Sequence, residues 1–210
     1  MAYVAWARVQ EARGNYALGI ERLAAEYALV VGESNFESAV FCLCALAMLS
    51  SHMPELHGRC VQYANLATVD AKRCGQPESA GVASAVGALA LAREAKFVSA
   101  KRAIQAALGN LPPNGDLTQR IYIYGVEAQI LMLEGSLAEA TTCATNLITK
   151  AKILNSPDYL AYGQFVLALC ESKLGRIESA RAHATDALNC YTAIKHCYAN
   201  HVATFLEALA

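Results

Sequence analysis

Apolar and small residues recur along this chain with a period of about 40 residues, and such a period predicts a repeat protein. The segment Gly135 to Ala144 (GSLAEATTCA) returns one period later as Gly175 to Ala184 (GRIESARAHA), with glycine, a branched apolar residue and two small residues at the same offsets. Earlier copies keep the phase, beginning at Ala95, Glu55 and Gly14. Five copies exceed the roughly three that stacked repeats need to bury a continuous core.

Each copy predicts two helices, because apolar positions at helical spacing stand on both sides of short turns rich in glycine, asparagine and proline. We predict an all-α fold, an α-solenoid of about five 40-residue hairpins plus one C-terminal helix, forming a single array over residues 1–210. The predicted repeats are 1–34, 35–75, 76–115, 116–155 and 156–195, and the last helix is 197–210. The strongest helix-breaking stretch is Gly109 to Asp116, where we expect a hinge or a longer loop with stacking continued across it.

Composition narrows the class of partner. The net charge is −1, from 17 basic and 18 acidic residues, so the chain has no positive field to hold a phosphate backbone, and we expect no direct contact with nucleic acid. Hydrophobic residues make up 55% and charged residues only 17%, where the average charged fraction is about 25%. Because each unit of a repeat array meets water, this balance indicates apolar surface covered by a protein partner or by further repeats. The apolar ends of the chain likewise predict a fragment of a longer array, or caps from other chains.

The eight cysteines favour reduced thiols over a disulfide framework. They fall inside helical patterns, at positions that otherwise hold alanine or leucine, and this is typical of small core side chains in a reducing compartment, the nucleus or cytoplasm. The N-terminus lacks the basic and apolar regions of a signal peptide. The longest uncharged run, Ser38 to Pro54, is shorter than the ~20 apolar residues of a membrane span, so we expect no membrane partner.

Candidate catalytic or metal chemistry is sparse. The sequence contains no phosphate-binding, dinucleotide-binding, serine-nucleophile, HExxH or CxxC motif, so we predict no enzyme and no cofactor. The C-terminal set His183, Cys190, Cys197 and His201 offers at most Cys197 with His201 as neighbours, and two ligands are too few for zinc. The basic group around Arg93 and Lys96 is interpreted as a solvated surface rather than a contact for phosphate or an acidic peptide.

The repeats resemble the tetratricopeptide (TPR) family in a longer, 40-residue form. That family places small residues where the two helices of a hairpin touch, and three such positions are mostly small here. They hold Ala7, Met48, Ala88, Ala128 and Ala168; then Gly19, Cys60, Ala100, Ala140 and Ala180; then Glu26, Ala67, Ala107, Leu147 and Ala187. Met48, Glu26 and Leu147 depart from the pattern. The resemblance implies a right-handed superhelix that binds a polypeptide on its concave face.

Within that superfamily, the first half of the chain is similar to the cohesin-loading-factor family, the TPR-like subunit that embraces the N-terminal segment of the large cohesin-loader subunit. The resemblance is carried by Ala25-Glu26-Tyr27-Ala28, Ala39-Val40-Phe41, Ala45 to Leu49 and Gln76-Pro77-Glu78-Ser79. Long repeats of this kind also look similar to regulatory domains of ATP-dependent bacterial transcription activators and to subunits of the anaphase-promoting complex.

The TPR register implies which residues line the concave groove. The predicted partner-binding residues are Leu49, Leu89, Arg93, Tyr122, Gln129, Met132, Tyr162, Phe165, Leu169 and Lys173, with Cys42 and Ala45 beside them. Because these positions are mostly apolar, we expect an extended or helical peptide that contributes apolar side chains, with aromatic anchors at Tyr122, Tyr162 and Phe165. The alternative is that the same aromatic residues pack between adjacent repeats.

The leading hypothesis is therefore a non-enzymatic scaffold that holds a protein partner, most specifically a cohesin-loader subunit acting in chromosome segregation. The second hypothesis is a ligand-sensing or peptide-sensing regulatory domain of a transcription activator.

Overall fold

The computed structural model describes residues 2–112 and 117–209, and these residues form eleven α-helices, one 3-10 turn and no strand. The helices are α1 Ala2–Ala12, α2 Tyr16–Gly32, α3 Phe36–Ser51, α4 His57–Arg73, α5 Pro77–Arg93, α6 Phe97–Asn110, α7 Leu117–Glu134, α8 Leu137–Ile153, α9 Pro157–Lys173, α10 Ile177–Ala193 and α11 Tyr198–Ala208. The predicted all-α fold of helical hairpins is confirmed. Of the expected loop Gly109 to Asp116, the last four residues lie outside the described part of the chain.

We call the first helix of each hairpin an A helix (α1, α3, α5, α7, α9, α11) and the second a B helix (α2, α4, α6, α8, α10). The chain divides into two compact units, 1–123 and 124–210, so α7 spans the boundary. Each unit consists of consecutive helices packed against one another, and in the first unit α3 also contacts the neighbouring A helices α1 and α5. Whether one continuous array extends over the whole chain stays a prediction.

Left-handed turn residues set the length of the repeat. Positive φ angles occur at Gly14, Ser34, Gly75, Ala95, Gly135, Asn155, Gly175 and Lys195, mostly at steps of about 20 residues. The amide after each of these residues donates back to a carbonyl of the preceding helix, as from Gln76 to Ala71 (2.8 Å) and from His196 to Tyr191 (2.9 Å). This pattern ends each helix and reverses the chain, so two helices and two turns give the period of about 40 residues.

The turn between α3 and α4 departs from this geometry. Between α3 and α4 the chain passes through a 3-10 turn at Pro54–Leu56. Here the ring of His52 stacks on Tyr16 with centroids 4.6 Å apart, and its Nε2 lies 3.1 Å from Oε1 of Glu11. These contacts fix the longer turn against the first hairpin.

Small residues lie where the helices meet. The predicted small positions that hold alanine or cysteine are buried, and an added Cβ at the A-helix glycines Gly81, Gly87, Gly125 or Gly163 would stand within 3.0 Å of a neighbouring atom. All eight cysteines are free thiols, and burial raises the pKa of the Cys44 and Cys60 thiols to about 12. Within 2–112 and 117–209, no helix is both long and apolar enough to cross a bilayer.

Candidate protein-binding site

The ten predicted groove residues fall into both units, four in the first and six in the second. In the first unit, Leu49 and Leu89 are only 2% and 7% exposed. Leu49 packs with Ala7 and Leu23, and the neighbouring predictions Cys42 and Ala45 are buried as well. Core packing therefore accounts for these apolar side chains, which leave little surface for a partner.

Arg93 and Tyr122 also have partners inside the first unit. The Arg93 guanidinium donates from Nη1 to the backbone carbonyl of Ser51, so it satisfies an acceptor at the C-terminal end of α3. Tyr122 is half-buried against a cluster that includes Ala47 and Val86. Both side chains join neighbouring hairpins.

In the second unit, one face of α9 brings together most of the predicted site. Tyr162, Phe165 and Leu169 are half-buried and Lys173 is exposed, and their spacing of three and four residues places them on the same side of the helix. Asp158, also half-buried, begins this stripe one turn earlier. We call these five residues the α9 face.

Tyr162 is fixed from both ends of its side chain. Its hydroxyl lies 2.9 Å from Oε1 of Gln129 and 3.1 Å from the Gly125 carbonyl, so it can donate to either acceptor on α7. A Cβ on Gly125 would lie 2.5 Å from the Tyr162 ring, which shows how closely the ring packs on that helix. The missing side chain at Gly125 makes room for the tyrosine.

Phe165 packs in the other direction, toward the end of the chain. Its ring meets Phe205 of α11 edge to face, with centroids 5.6 Å apart. Leu169 packs against the cluster that contains Met132, which is itself buried. The aromatic residues thus pack between repeats, and the α9 face is a rigid strip whose outer edge meets water.

On two A helices, a residue adjacent to the predicted groove residue is the more exposed one. Met132 is buried while its neighbour Leu133 is 38% exposed. Leu49 is buried while Met48 is half-buried. Leu133 escaped the sequence-based prediction, although it stands four residues after Gln129 and therefore on the same side of α7.

Two titratable groups of the second unit, Glu127 and Cys143, have pKa values raised mainly by burial. Glu127 on α7 is half-buried, and desolvation raises the pKa of its carboxyl above the usual range. Burial, together with the carboxylates Glu127 and Glu139, raises the pKa of the Cys143 thiol to about 11. At neutral pH this thiol is protonated, so it is a poor nucleophile and a poor metal ligand.

Metal-binding geometry is not assembled in the described ranges: no group of three or more His, Cys, Asp or Glu side chains is placed to hold an ion there. His183 instead lies 2.7 Å from Oε1 of Gln164, and the ring of His201 packs edge to face with Tyr198. His196, absent from the predicted set, accepts the Tyr198 amide at Nδ1 over 3.2 Å. His183 therefore connects α9 and α10, whereas the contacts of His196 and His201 with Tyr198 lie at the start of α11.

No protein-family model matches this sequence, and the search of curated proteins likewise gave no match.

Proposed function

We propose that this protein is a non-enzymatic scaffold that holds a polypeptide partner along its A helices. The observation that carries the proposal is the α9 face, where five residues in succession keep part of their surface in water while Ala161, Val166 and Cys170 elsewhere on the helix are buried. A strip with three aromatic or aliphatic side chains between two charged ones fits a peptide side chain by side chain.

The chemistry of the α9 face indicates the kind of segment it suits. Tyr162 and Phe165 supply aromatic surface, and because both rings are already held by internal contacts, binding costs little additional side-chain entropy. Asp158 and Lys173 stand at opposite ends of the strip, so a partner with a basic residue near one end and an acidic residue near the other would be oriented. We therefore expect an apolar segment, helical or extended, with charged flanks.

The finer identity of the partner rests on sequence resemblance alone. Similarity of the first half of the chain to the cohesin-loading-factor family predicts the N-terminal segment of the large cohesin-loader subunit as the ligand. The second hypothesis, a regulatory domain of a transcription activator, also stays a prediction. Sequencing the captured partner by mass spectrometry distinguishes the two.

The experiment uses exposed positions, because alanine at Tyr162 or Phe165 would also remove packing between helices. The double variant Leu133→Glu with Lys173→Glu changes two exposed side chains, one at the end of the α9 face and one on α7, four residues after Gln129. Its matched control is Ile153→Glu with Lys152→Glu, which makes the same chemical changes at exposed positions near the end of α8.

We expect a partner to co-purify with the wild-type chain and the Kd for that partner to rise at least ~10-fold in the first variant. The control should bind within about twofold of wild type, since single surface changes away from an interface have small effects. The proposal would be contradicted if both double variants bound the partner equally well, or if replacing Leu133 and Lys173 left capture of the partner unchanged.

A further inference from the structure

A histidine at the start of α11 accepts a hydrogen bond from the backbone. The Nδ1 atom of His196 lies 3.2 Å from the amide nitrogen of Tyr198, which is the first residue of the helix. The amides of a first helical turn have no acceptor within their own helix. The half-buried ring of His196 therefore satisfies an amide that α11 itself leaves unpaired.

This hydrogen bond fixes the protonation state of the imidazole. An acceptor nitrogen must keep its lone pair, so the ring is neutral and carries its one proton on Nε2. A second proton would bind to Nδ1, and the ring would then face the Tyr198 amide with a donor instead of an acceptor. It would also place a positive charge at the N-terminal end of a helix, where the helix dipole disfavours cations. Protonation of His196 is therefore incompatible with this bond.

The groups around His196 act on its charge in opposite directions. The titratable and charged groups that face it, or face the rings packed on it, are Asp158 of α9, Tyr191 of α10, Lys195 and Cys197 of the turn, and Tyr198 and His201 of α11. Burial and, after it, the Asp158 carboxylate raise the pKa of the Tyr191 hydroxyl, whose ring lies 5.2 Å from that of His196. Lys195 opposes a second positive charge at this place, whereas Asp158 favours it. The attraction to Asp158 weakens the effect of pH, but it does not return the lone pair that the Tyr198 amide needs.

The helix that begins at this bond has few other partners. α11 packs chiefly against α10, whereas α9 packs extensively against both α8 and α10. Val202 is its one fully buried side chain among the described residues, and at its far end Arg181 donates to the carbonyl of Leu209. Elements with few buried contacts open most readily, so the loss of one hydrogen bond has more effect here than inside the unit.

We propose that His196 is a pH-sensitive switch for the docking of α11 on α10. The neutral ring holds the first amide of α11, and protonation removes that bond, so the helix opens more often. The open form then binds the proton more tightly than the docked form does. Docking is therefore most stable above the range in which histidine titrates, ~6.5, and weakens as the pH falls through it.

The switch reaches the α9 face through one ring contact. Phe205 of α11 meets Phe165 edge to face, with centroids 5.6 Å apart. Opening of α11 removes Phe205 and leaves more of the Phe165 ring in water. This consequence rests on the proposed function: mild acid should weaken the binding of a partner at the α9 face.

Hydrogen exchange of the full chain, followed by mass spectrometry at pH 7.5 and pH 5.5, tests the switch without a partner. Exchange rates are corrected for their intrinsic dependence on pH, and peptides from α8 in the same unit serve as the reference. Between these two pH values, one group with a pKa of ~6.5 in the open form can change the opening equilibrium at most ~10-fold. We expect the protection of α11 to fall about three- to tenfold relative to α8, because Asp158 keeps the change below that limit.

Two substitutions separate His196 from other effects of pH. Asparagine side chains accept from the backbone amide two residues on, so His196→Asn keeps an acceptor for the Tyr198 amide but does not titrate. Protection of α11 should then be the same at both pH values. His201→Asn is the matched control, because the exposed ring of His201 also contacts Tyr198. This variant should lose protection as wild type does.

Nitrogen-15 NMR of the histidine rings needs no substitution, so it decides the case where His196→Asn opens α11 at both pH values. Nδ1 of His196 should be the unprotonated nitrogen at pH 7.5 and should gain a proton as α11 loses protection. The proposal would be overturned by unchanged protection of α11 in wild type, by an equal loss in His196→Asn, or by a ring that is protonated at Nδ1 at pH 7.5. None of these measurements involves a partner, so the switch and the proposed function can fail separately.

Discussion

A helices and B helices carry the fold in different ways. In α3, eleven of sixteen residues are buried, whereas in α4 only four of seventeen are. The difference follows from their neighbours, since α3 packs against α1, α2, α4 and α5, while α4 packs chiefly against α3 and α5. A helices inside the first unit, α3 and α5, are therefore enclosed on most sides, and a B helix presents one narrow buried row.

The buried row of a B helix has a simple pattern. In α10 it consists of Ala180, Ala184, Ala187 and Tyr191, at spacings of four, three and four residues, and α4 repeats that spacing. Small side chains in this row let the B helix approach the adjacent A helices closely. Stability should thus depend on large side chains in A helices and on small ones where the two kinds of helix touch.

The largest expected effect comes from removing an enclosed A-helix side chain. Leu43 of α3 is fully buried, so Leu43→Ala leaves a cavity and should lower the free energy of unfolding by about 4 kcal/mol. Leu66→Ala, at a half-exposed position on α4, should change it by less than about 0.5 kcal/mol. Urea unfolding followed by circular dichroism measures both. Similar losses in the two variants would mean that burial does not separate the two kinds of helix.

Adding one carbon atom where two helices touch should lower the free energy of unfolding by less than Leu43→Ala does, but by a measurable amount. Gly125→Ala places a Cβ 2.5 Å from the Tyr162 ring, whose hydroxyl is held by α7, so either the ring or the backbone must shift. We expect a loss of about 2 to 3 kcal/mol.

Gly58→Ala is the matched control for this change. A Cβ at Gly58 in the B helix α4 meets no atom within 4 Å, and alanine favours helix. The free energy of unfolding of this variant should therefore rise by up to about 1 kcal/mol. Thermal unfolding of both variants provides the comparison. A higher melting temperature for Gly125→Ala than for wild type would show that the Tyr162 ring can move aside without loss of stability.

The contrast between A helices and B helices also explains which features of the fold could be predicted from the sequence. The succession of helical hairpins could be predicted, because turn residues such as Gly75 and Gly175 interrupt strong helical periodicity. The rotation of a B helix such as α10 was readable, because its single apolar row stands against a mostly polar remainder. In an A helix such as α7 polar residues stand on several sides, as Gln119, Arg120 and Gln129 do, so the pattern did not fix its rotation. Met132 was therefore predicted to be open, whereas the structure buries it and exposes Leu133.

Tertiary contacts account for the remaining misses. The hydroxyl of Tyr162 finds its acceptors on another helix, more than thirty residues earlier in the chain, and periodicity carries no information on such a pairing. The exposure of Leu18 and Leu29 on α2 also escaped prediction, because leucine at helical spacing is equally typical of a buried face.

The smallest expected effect concerns the half-buried carboxylate of Glu127 on the A helix α7. Burial raises the pKa of Glu127 above its ordinary value of 4.5, so the folded state binds this proton more tightly than the unfolded state does, and folding loses stability as the pH rises from below 4.5 through the folded pKa. Glu127→Gln removes that loss of stability. At pH 7 the free energy of unfolding of the variant should therefore exceed that of wild type, but by no more than about 1 kcal/mol, because part of the side chain meets water. Below pH 4 the two proteins should agree. Urea unfolding of wild type and Glu127→Gln at pH 7 and pH 3.5 measures this difference, and a Glu127→Gln protein that is less stable than wild type at pH 7 would mean that the carboxylate makes a favourable contact in the folded chain.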